Sequence, residues 1–170
     1  MAQLALIGAG AMGGAIGLRL LQTGTKLRVF DLDLAKVAVL VAEGAEAAAS
    51  TAEAAKGAEA TILSLNSPRS SSAVFGPGGV AEGAETGAPV IDMSSIDPVA
   101  MRAFAERAAA TGLGWVDSPL SGGIPKVAAG ALTLMQGGYA AQAPAPKPCL
   151  PKSPQTRPIW GLRARGRPPS

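Results

Sequence analysis

The stretch Leu4-Ala5-Leu6-Ile7-Gly8-Ala9-Gly10-Ala11-Met12-Gly13 decides the fold. Four apolar residues without alternation, stopped by a glycine, have the form of a buried parallel strand. Beyond the glycines, Met12, Ile16 and Leu20 recur every fourth residue with Leu21 beside them and Gly24 just past the end, which predicts a helix over 11–22. G-x-G-x-x-G is weak alone, but between a strand and a helix it is a dinucleotide fingerprint. Gly8 makes the tight turn, Gly10 lets a pyrophosphate approach the backbone, and Gly13 lets helix meet strand, while the helix start at Ala11 and Met12 offers free N–H groups to the phosphates. The bland alternative is a glycine-rich turn in an Ala/Gly-rich chain. Asp31 argues against it, standing 18 residues beyond Gly13 at the end of the next predicted strand, which holds Leu27, Val29 and Phe30. A carboxylate there accepts from the adenosine ribose hydroxyls and repels a 2′-phosphate. NAD is thus favoured as cofactor, with Lys26 and Arg28 leaving NADP open.

Outward from this unit the same alternation continues. A helix is predicted over 34–41 and a short one after Ser50 or Thr51, either of which is a good cap. Strands follow at 61–65, 89–92, 115–117 and 132–135. A short helix lies between the Asn66-Ser67-Pro68 turn and the Gly76-Pro77-Gly78-Gly79 cluster, and Asp97-Pro98 opens another through Met101, Phe104, Ala105 and Ala108. Strands alternating with helices predict an α/β fold, a Rossmann-type doubly wound parallel sheet covered on both faces. Ligands bind such sheets at the carboxyl ends of the strands. Polar residues gather there: Asp31, Asn66, Ser94 and Ser95, then Ser118 and Ser121.

The chain has 170 residues, 48% of them hydrophobic, enough for one ordinary domain. A lone cysteine, Cys149, excludes an internal disulfide and a cysteine-cluster metal site. The absence of histidine removes Ser-His-Asp hydrolysis, histidine-bound zinc and dehydrogenases whose acid is histidine. No metal is therefore expected. No apolar run reaches the ~18 residues of a membrane span, and the apolar opening has no basic residue before Arg19, unlike a signal peptide. A cytoplasmic protein without a membrane partner is the expectation.

The formal charge of +3 hides a sharp division near Gly138. Residues 1–138 hold nine of the 15 basic and all 12 acidic residues, whereas 139–170 hold six basic, no acidic and eight of the 14 prolines. Proline at that density predicts an extended, mostly disordered tail beside a dinucleotide-binding domain over 1–138. A basic tail can hold nucleic acid, but aromatic interleaving is missing apart from Tyr139 and Trp160, so no nucleic-acid partner is expected.

Several ordered segments together resemble the β-hydroxyacid dehydrogenases, the family of 3-hydroxyisobutyrate dehydrogenase and 2-hydroxy-3-oxopropionate reductase. They are Gly8 to Gly17 with Met12-Gly13, Ile91-Asp92-Met93-Ser94-Ser95-Ile96-Asp97-Pro98, Asp117-Ser118-Pro119-Leu120-Ser121-Gly122-Gly123, and Gly130-Ala131-Leu132-Thr133-Leu134-Met135. The resemblance implies an NAD(P)-dependent oxidoreductase acting on a short hydroxy acid or its semialdehyde. It also implies a following helical domain that completes the active site and a dimer. It places Leu65 and Asn66 against the cofactor, Ser95 near the nicotinamide, and Ser121, Gly122 and Gly123 around the substrate carboxylate. Two glycines after a serine do leave backbone donors open to an anion, although a flexible turn reads the same way. Ser94 and Ser95 read equally well as caps of the Pro98 helix. Asn66 departs from the family's usual proline, and Pro125-Lys126 from a stretch often Gly-Ala.

Family members also carry a catalytic lysine followed by an asparagine on the helix after the cofactor domain. No such pattern occurs here: Asn66 is the only asparagine, Lys126 lies in the substrate loop, and Lys147 and Lys152 are boxed in by prolines. No catalytic residue is assigned. The expectation is a member truncated or frame-shifted after Gly138, with two alternatives: a non-catalytic NAD-binding domain or non-functional fragment, and an imine reductase-like protein.

Overall fold

The computed structural model describes residues 3–65, 67–94, 98–118, 120–121, 123–128, 133–138, 157–159 and 162–166. At its centre β1 (Gln3–Ile7) leads through the glycine turn into α1 (Ala11–Gln22), at the bounds its periodicity predicts. β2 (Lys26–Phe30) and α2 (Leu34–Ala42) follow, then β3 (Glu46–Ala47) and α3 (Thr51–Ala55). β4 (Ala60–Leu63), α4 (Ser67–Phe75), α5 (Val80–Gly83), β5 (Pro89–Asp92), α6 (Pro98–Ala110) and β6 (Gly114–Asp117) complete the winding. β7 (Leu120–Ser121), α7 (Gly123–Ala128) and β8 (Thr133–Gly138) come last before two short strands, β9 (Arg157–Ile159) and β10 (Leu162–Gly166).

The first six strands are parallel, in the order β3-β2-β1-β4-β5-β6. This is the Rossmann order, and its reversal falls between β1 and β4, where two successive connections leave in opposite directions and open a crevice. β8 then runs antiparallel to β6, pairing Val116 with Gly138 and Asp117 with Gly137. In the stretch 139–170, where an extended tail is expected, β10 lies parallel to β8 and β9 antiparallel to β10. Pro158 lies in β9, the edge strand, where a missing backbone donor costs least.

Alternation along β1 explains the two cores. Leu4 and Leu6 point to one face, where Ile16 and Leu20 of α1, Val37 and Leu40 of α2 and Val127 of α7 cover them. Ala5 and Ile7 point to the other, under Ala54 and Ala55 of α3, Val74 of α4, Val80 of α5 and Ala108 of α6. Phe75, Phe104 and Trp115 lock α4 and α6 onto β6 with ring centroids 5.7–6.3 Å apart, and the Trp115 indole donates to Met101 Sδ at 3.1 Å. Burial of such rings carries much of the packing energy of that face.

Of the two caps predicted for α3, the structure uses Ser50: its hydroxyl accepts from the Glu53 amide at 3.0 Å, and the Glu53 carboxylate accepts from the Ala49 amide. Thr51 is instead buried and donates to the carbonyls of Ala73 and Gly78, tying α3 to the end of α4. Arg28 also serves the fold. It pairs with Glu46 at 3.1 Å and donates to the carbonyls of Glu53 and Lys56 at 3.0 and 2.9 Å, closing the C-terminal end of α3.

Candidate nucleotide-binding site

A cleft of about 530 Å³ opens at the carboxyl ends of β1, β2 and β4, at the reversal of strand order. Its walls include Gly8 and Gly10 from the glycine turn, Asp31 and Leu32 from the end of β2, and Ser64 and Leu65 from the end of β4. Three sequence features thus meet in one concavity. The glycines divide their roles in the manner the spacing implies. Gly8 has φ +96°, and a Cβ on Gly13 would stand 2.0 Å from the Gly8 carbonyl oxygen, so both are demanded by the fold itself. A Cβ on Gly10 would meet no protein atom within 4 Å, although Gly10 faces the cleft. What that position leaves room for is not part of the chain.

Gly10 is also the N-cap of α1, so no capping side chain accepts from the first-turn amides, and no acidic residue lies in that turn. A twelve-residue helix with an uncapped start, opening beside a bare glycine turn, fits a diphosphate. Opposite it, Asp31 is held twice: Oδ2 accepts from the Ala9 amide at 2.7 Å and Oδ1 from the Asp33 amide at 2.9 Å. These bonds tie the end of β2 to the glycine turn and orient an anionic acceptor along the cleft. Leu32, 78% exposed, supplies an apolar surface next to it.

The basic residues around the cleft differ from those the sequence suggests. Arg28 is spent on Glu46 and α3, and Lys26 begins β2, opposite Gln3 and away from the carboxyl end. Lys36 and Arg69 line the cleft instead. Lys36 Nζ lies 3.2 Å from Asp33 Oδ2, and that contact, with the Ala35 amide, holds the exposed Asp33 carboxyl below its ordinary range. Both lysine and arginine were legible as cations within a few residues of a strand end, but only the turns of α2 and α4 bring them round.

The Leu65 amide donates to Ser94 Oγ at 3.3 Å, and the Ser94 amide donates to Asp92 Oδ1 at 2.9 Å. Ser94 is buried and faces Leu65. Asn66, Ser95 and Gly122 lie outside the described residues. Ser121 is in β7, opposite Thr133 of β8, and Gly123 opens α7 with φ +68°. Among the described residues the cleft reaches no strand beyond β4, two strands from β6, and Gly123 does not line it. Lys126, expected in a loop, is on the exposed side of α7, whose Val127 packs into the core under α1. Among the described residues no three His, Cys, Asp or Glu are grouped so as to hold a metal ion, and no helix is long and apolar enough to cross a membrane.

The family described as the NAD binding domain of 6-phosphogluconate dehydrogenase matches residues 3–159. A 3-sulfolactaldehyde reductase of Escherichia coli is 40% identical over 151 residues, 88% of this chain and 51% of its own length. A 3-hydroxyisobutyrate dehydrogenase of Pseudomonas aeruginosa is 37% identical over 141 residues, 82% and 47% of the two chains. Among solved structures, Psf3 in complex with NADP+ and 2-OPP superposes with a TM-score of 0.76 at 27% identity, covering 81% of this chain and 49% of that one. The chain therefore spans about half the length of the relatives it matches. Residues of the glycine turn, the Asp31 strand end and the Rossmann strand order agree with that match, and the chain belongs to the NAD-binding domain family of 6-phosphogluconate dehydrogenase, on the side of the β-hydroxyacid dehydrogenase family, whose NAD-binding domain it matches.

Proposed function

We propose that this chain is the nucleotide-holding half of an NAD-dependent hydroxyacid dehydrogenase, one that interconverts a short hydroxy acid and its semialdehyde in the cytoplasm. The observation that carries the reading is the doubly held Asp31 carboxylate facing the uncapped start of α1 across a cleft where Gly10 leaves open space. NAD supplies hydride acceptance when bound. The chain's own residues do the holding: the α1 amides take the diphosphate, Asp31 takes the ribose hydroxyls, and Leu32 and Leu65 wall the cleft. Asp31 favours NAD over NADP, while Lys36 and Arg69 reduce the margin of that preference.

The substrate carboxylate belongs at Ser121, Gly122 and Gly123, with Asn66 and Ser95 toward the nicotinamide. In this reading residues 1–138 are the nucleotide-holding domain, and 139–170, whose β9 and β10 only extend the sheet beyond β8, take no part in holding the nucleotide. No lysine is assigned to the hydroxyl proton, so the chain by itself binds cofactor and turns over slowly. General acid–base assistance is worth ~10²- to 10⁴-fold. Its partner is the small hydroxy acid, and a dimer belongs with a helical half.

The test is a fluorescence titration of the purified chain with NADH and NADPH, followed by an assay of NADH formation on 3-hydroxyisobutyrate, glycerate and threonate. Tighter NADH binding with turnover far below ~10 s⁻¹ is expected. A folded chain that binds neither nucleotide overturns the assignment, and rapid turnover shows that a proton acceptor is present.

A further inference from the structure

Away from the nucleotide cleft, two carboxyl groups meet inside the protein. Asp92 ends β5 and Asp117 ends β6, and the parallel register places them directly opposite each other. Neighbouring strands lie about 4.8 Å apart, and residues paired in register share a face, so the two side chains rise together from the sheet. Asp92 is fully buried. Its Oδ1 accepts from the Ser94 amide, but among the described residues Oδ2 has no partner, and neither has Oδ1 of Asp117. Two buried, unpartnered acceptors on adjacent strands cannot satisfy each other while both groups are ionised. One proton between them satisfies both.

We propose that Asp92 and Asp117 share one proton and act as positioning residues, together holding the Ser94 that fixes the Leu65 wall of the nucleotide cleft. The consequence for nucleotide binding rests on the function proposed above; the shared proton does not. The surroundings favour it. Opposite Asp92 on β4 stands Leu63, and opposite Asp117 on β8 stands Gly137, neither of them charged. The helices over this face, α4 and α6, carry Arg69, Arg102, Glu106 and Arg107. Arg107 is engaged by Ser71 and the ring of Phe75, and Arg69 lines the cleft. Neither carboxyl is offset by a cation: burial raises Asp92 above the ordinary range despite Ser94, and burial followed by the charge of Asp92 raises Asp117. Ser118, buried with an unpartnered hydroxyl, closes the cluster, and its amide donates to the Asp92 carbonyl at 2.8 Å.

The link to the cleft is a short chain of bonds. Asp92 Oδ1 holds the Ser94 amide, and Ser94 Oγ holds the Leu65 amide. Loss of the shared proton sets two like charges side by side in a buried place, and the strand ends must part or admit water. The Leu65 wall then loosens, so NADH affinity falls as pH rises. Folded-state pKa values above the unfolded ones also make this contribution to stability full below about pH 4 and lost as pH climbs through the folded values.

The experiment is a ¹³C NMR titration of the aspartate carboxyl carbons in the full chain, with NADH affinity measured on both sides of the highest carboxyl titration that it finds. One carboxyl is expected to titrate well above ~3.9 and NADH affinity to fall at least several-fold toward the alkaline end. In Asp117→Asn the amide donates to Asp92 at every pH, so the high titration disappears and the alkaline loss flattens while NADH still binds. Both carboxyls titrating in the ordinary range overturns the proposal, as does a titration that Mg²⁺ or Na⁺ moves down, which makes the pair a cation site. An unchanged alkaline loss in a folded Asp117→Asn chain also overturns it. If NADH binds at no pH, the cofactor reading fails, and the wild-type carbon titration alone decides the shared proton.

Discussion

Gly10 and Gly13 stand three residues apart in the same turn, and their replacement should fail in opposite ways. At Gly10 the backbone has φ −61° and ψ −172°, an extended conformation that any residue adopts, and an added Cβ meets nothing within 4 Å. Gly10→Val should therefore change the stability of the free protein by no more than about 1 kcal/mol, the entropy gained from losing a glycine offsetting a poorer N-cap. The valine methyls would occupy the space over the α1 amides. Losing one or two charge-assisted hydrogen bonds to a phosphate, at about 1.5 to 3 kcal/mol each, gives roughly 1.5 to 6 kcal/mol, at least about tenfold and up to about ten-thousand-fold in Kd. At Gly13 the added Cβ stands 2.0 Å from a backbone carbonyl oxygen, which no rotamer relieves, so Gly13→Ala must push α1 off β1. Overpacking of that kind costs about 1 to 3 kcal/mol and lowers Tm before any ligand is added. Thermal unfolding without nucleotide and NADH fluorescence titration separate the two effects. A folded Gly10→Val that binds NADH like the wild type would refute the pyrophosphate assignment, and a Gly10→Val as unstable as Gly13→Ala would show that the open space is needed by the fold.

Other substitutions test the neighbouring claims. Asp31→Asn removes a like charge worth on the order of 1 to 4 kcal/mol near a 2′-phosphate, so the ratio of NADPH to NADH affinity should rise about tenfold, and an unchanged ratio contradicts the role given to Asp31. Arg28→Ala should leave that ratio alone and lower stability by about 1 to 3 kcal/mol as the Lys56 carbonyl loses the arginine donor and the Glu53 carbonyl keeps only the Lys56 amide, read by denaturant unfolding. Ser50→Ala should cost about 1 kcal/mol, with a matching fall in Tm and no effect on binding. The Lys36 ammonium and the Ala35 amide hold Asp33 below the ordinary carboxylate range, so its contribution is present above that range and lost as pH falls through the folded value; Asp33→Asn should flatten this acid limb of the stability curve.

The main elements were legible because each carries a period. The apolar run of β1, the four-residue spacing of α1 and the β4, β5 and β6 cores all stand in the sequence near their observed bounds. β3 has two residues, both exposed, and is held only by pairing with Arg28 and Val29, so no apolar pattern marks it. α5 is four residues inside a Gly-rich stretch, and α7 contains Pro125, which reads as a turn until Val127 is seen packing under α1. Ser94 was legible as a polar residue at a strand end, but its partner Leu65 is 29 residues away, a distance only the parallel pairing of β4 and β5 closes.

The cation question shows why chain distance misleads about charge. Arg28 lies three residues before Asp31, and in sequence it looks able to meet a 2′-phosphate that Asp31 repels. Within β2, however, side chains alternate, and Leu27 and Val29 turn toward the core under α1 and α2. Arg28 is thereby sent to the opposite face with Phe30, where the Glu53 and Lys56 carbonyls at the end of α3 accept from it, and Glu46 on the next strand completes its coordination. Lys36 is farther from the strand end in sequence but is the third residue of α2, whose Asp33 cap turns the chain back over the cleft. Arg69 comes from α4, on the far side of β4. On the proposed reading, cofactor choice is therefore a contest between Asp31 and two cations delivered by helices, and the periods of strand and helix decide which charges take part.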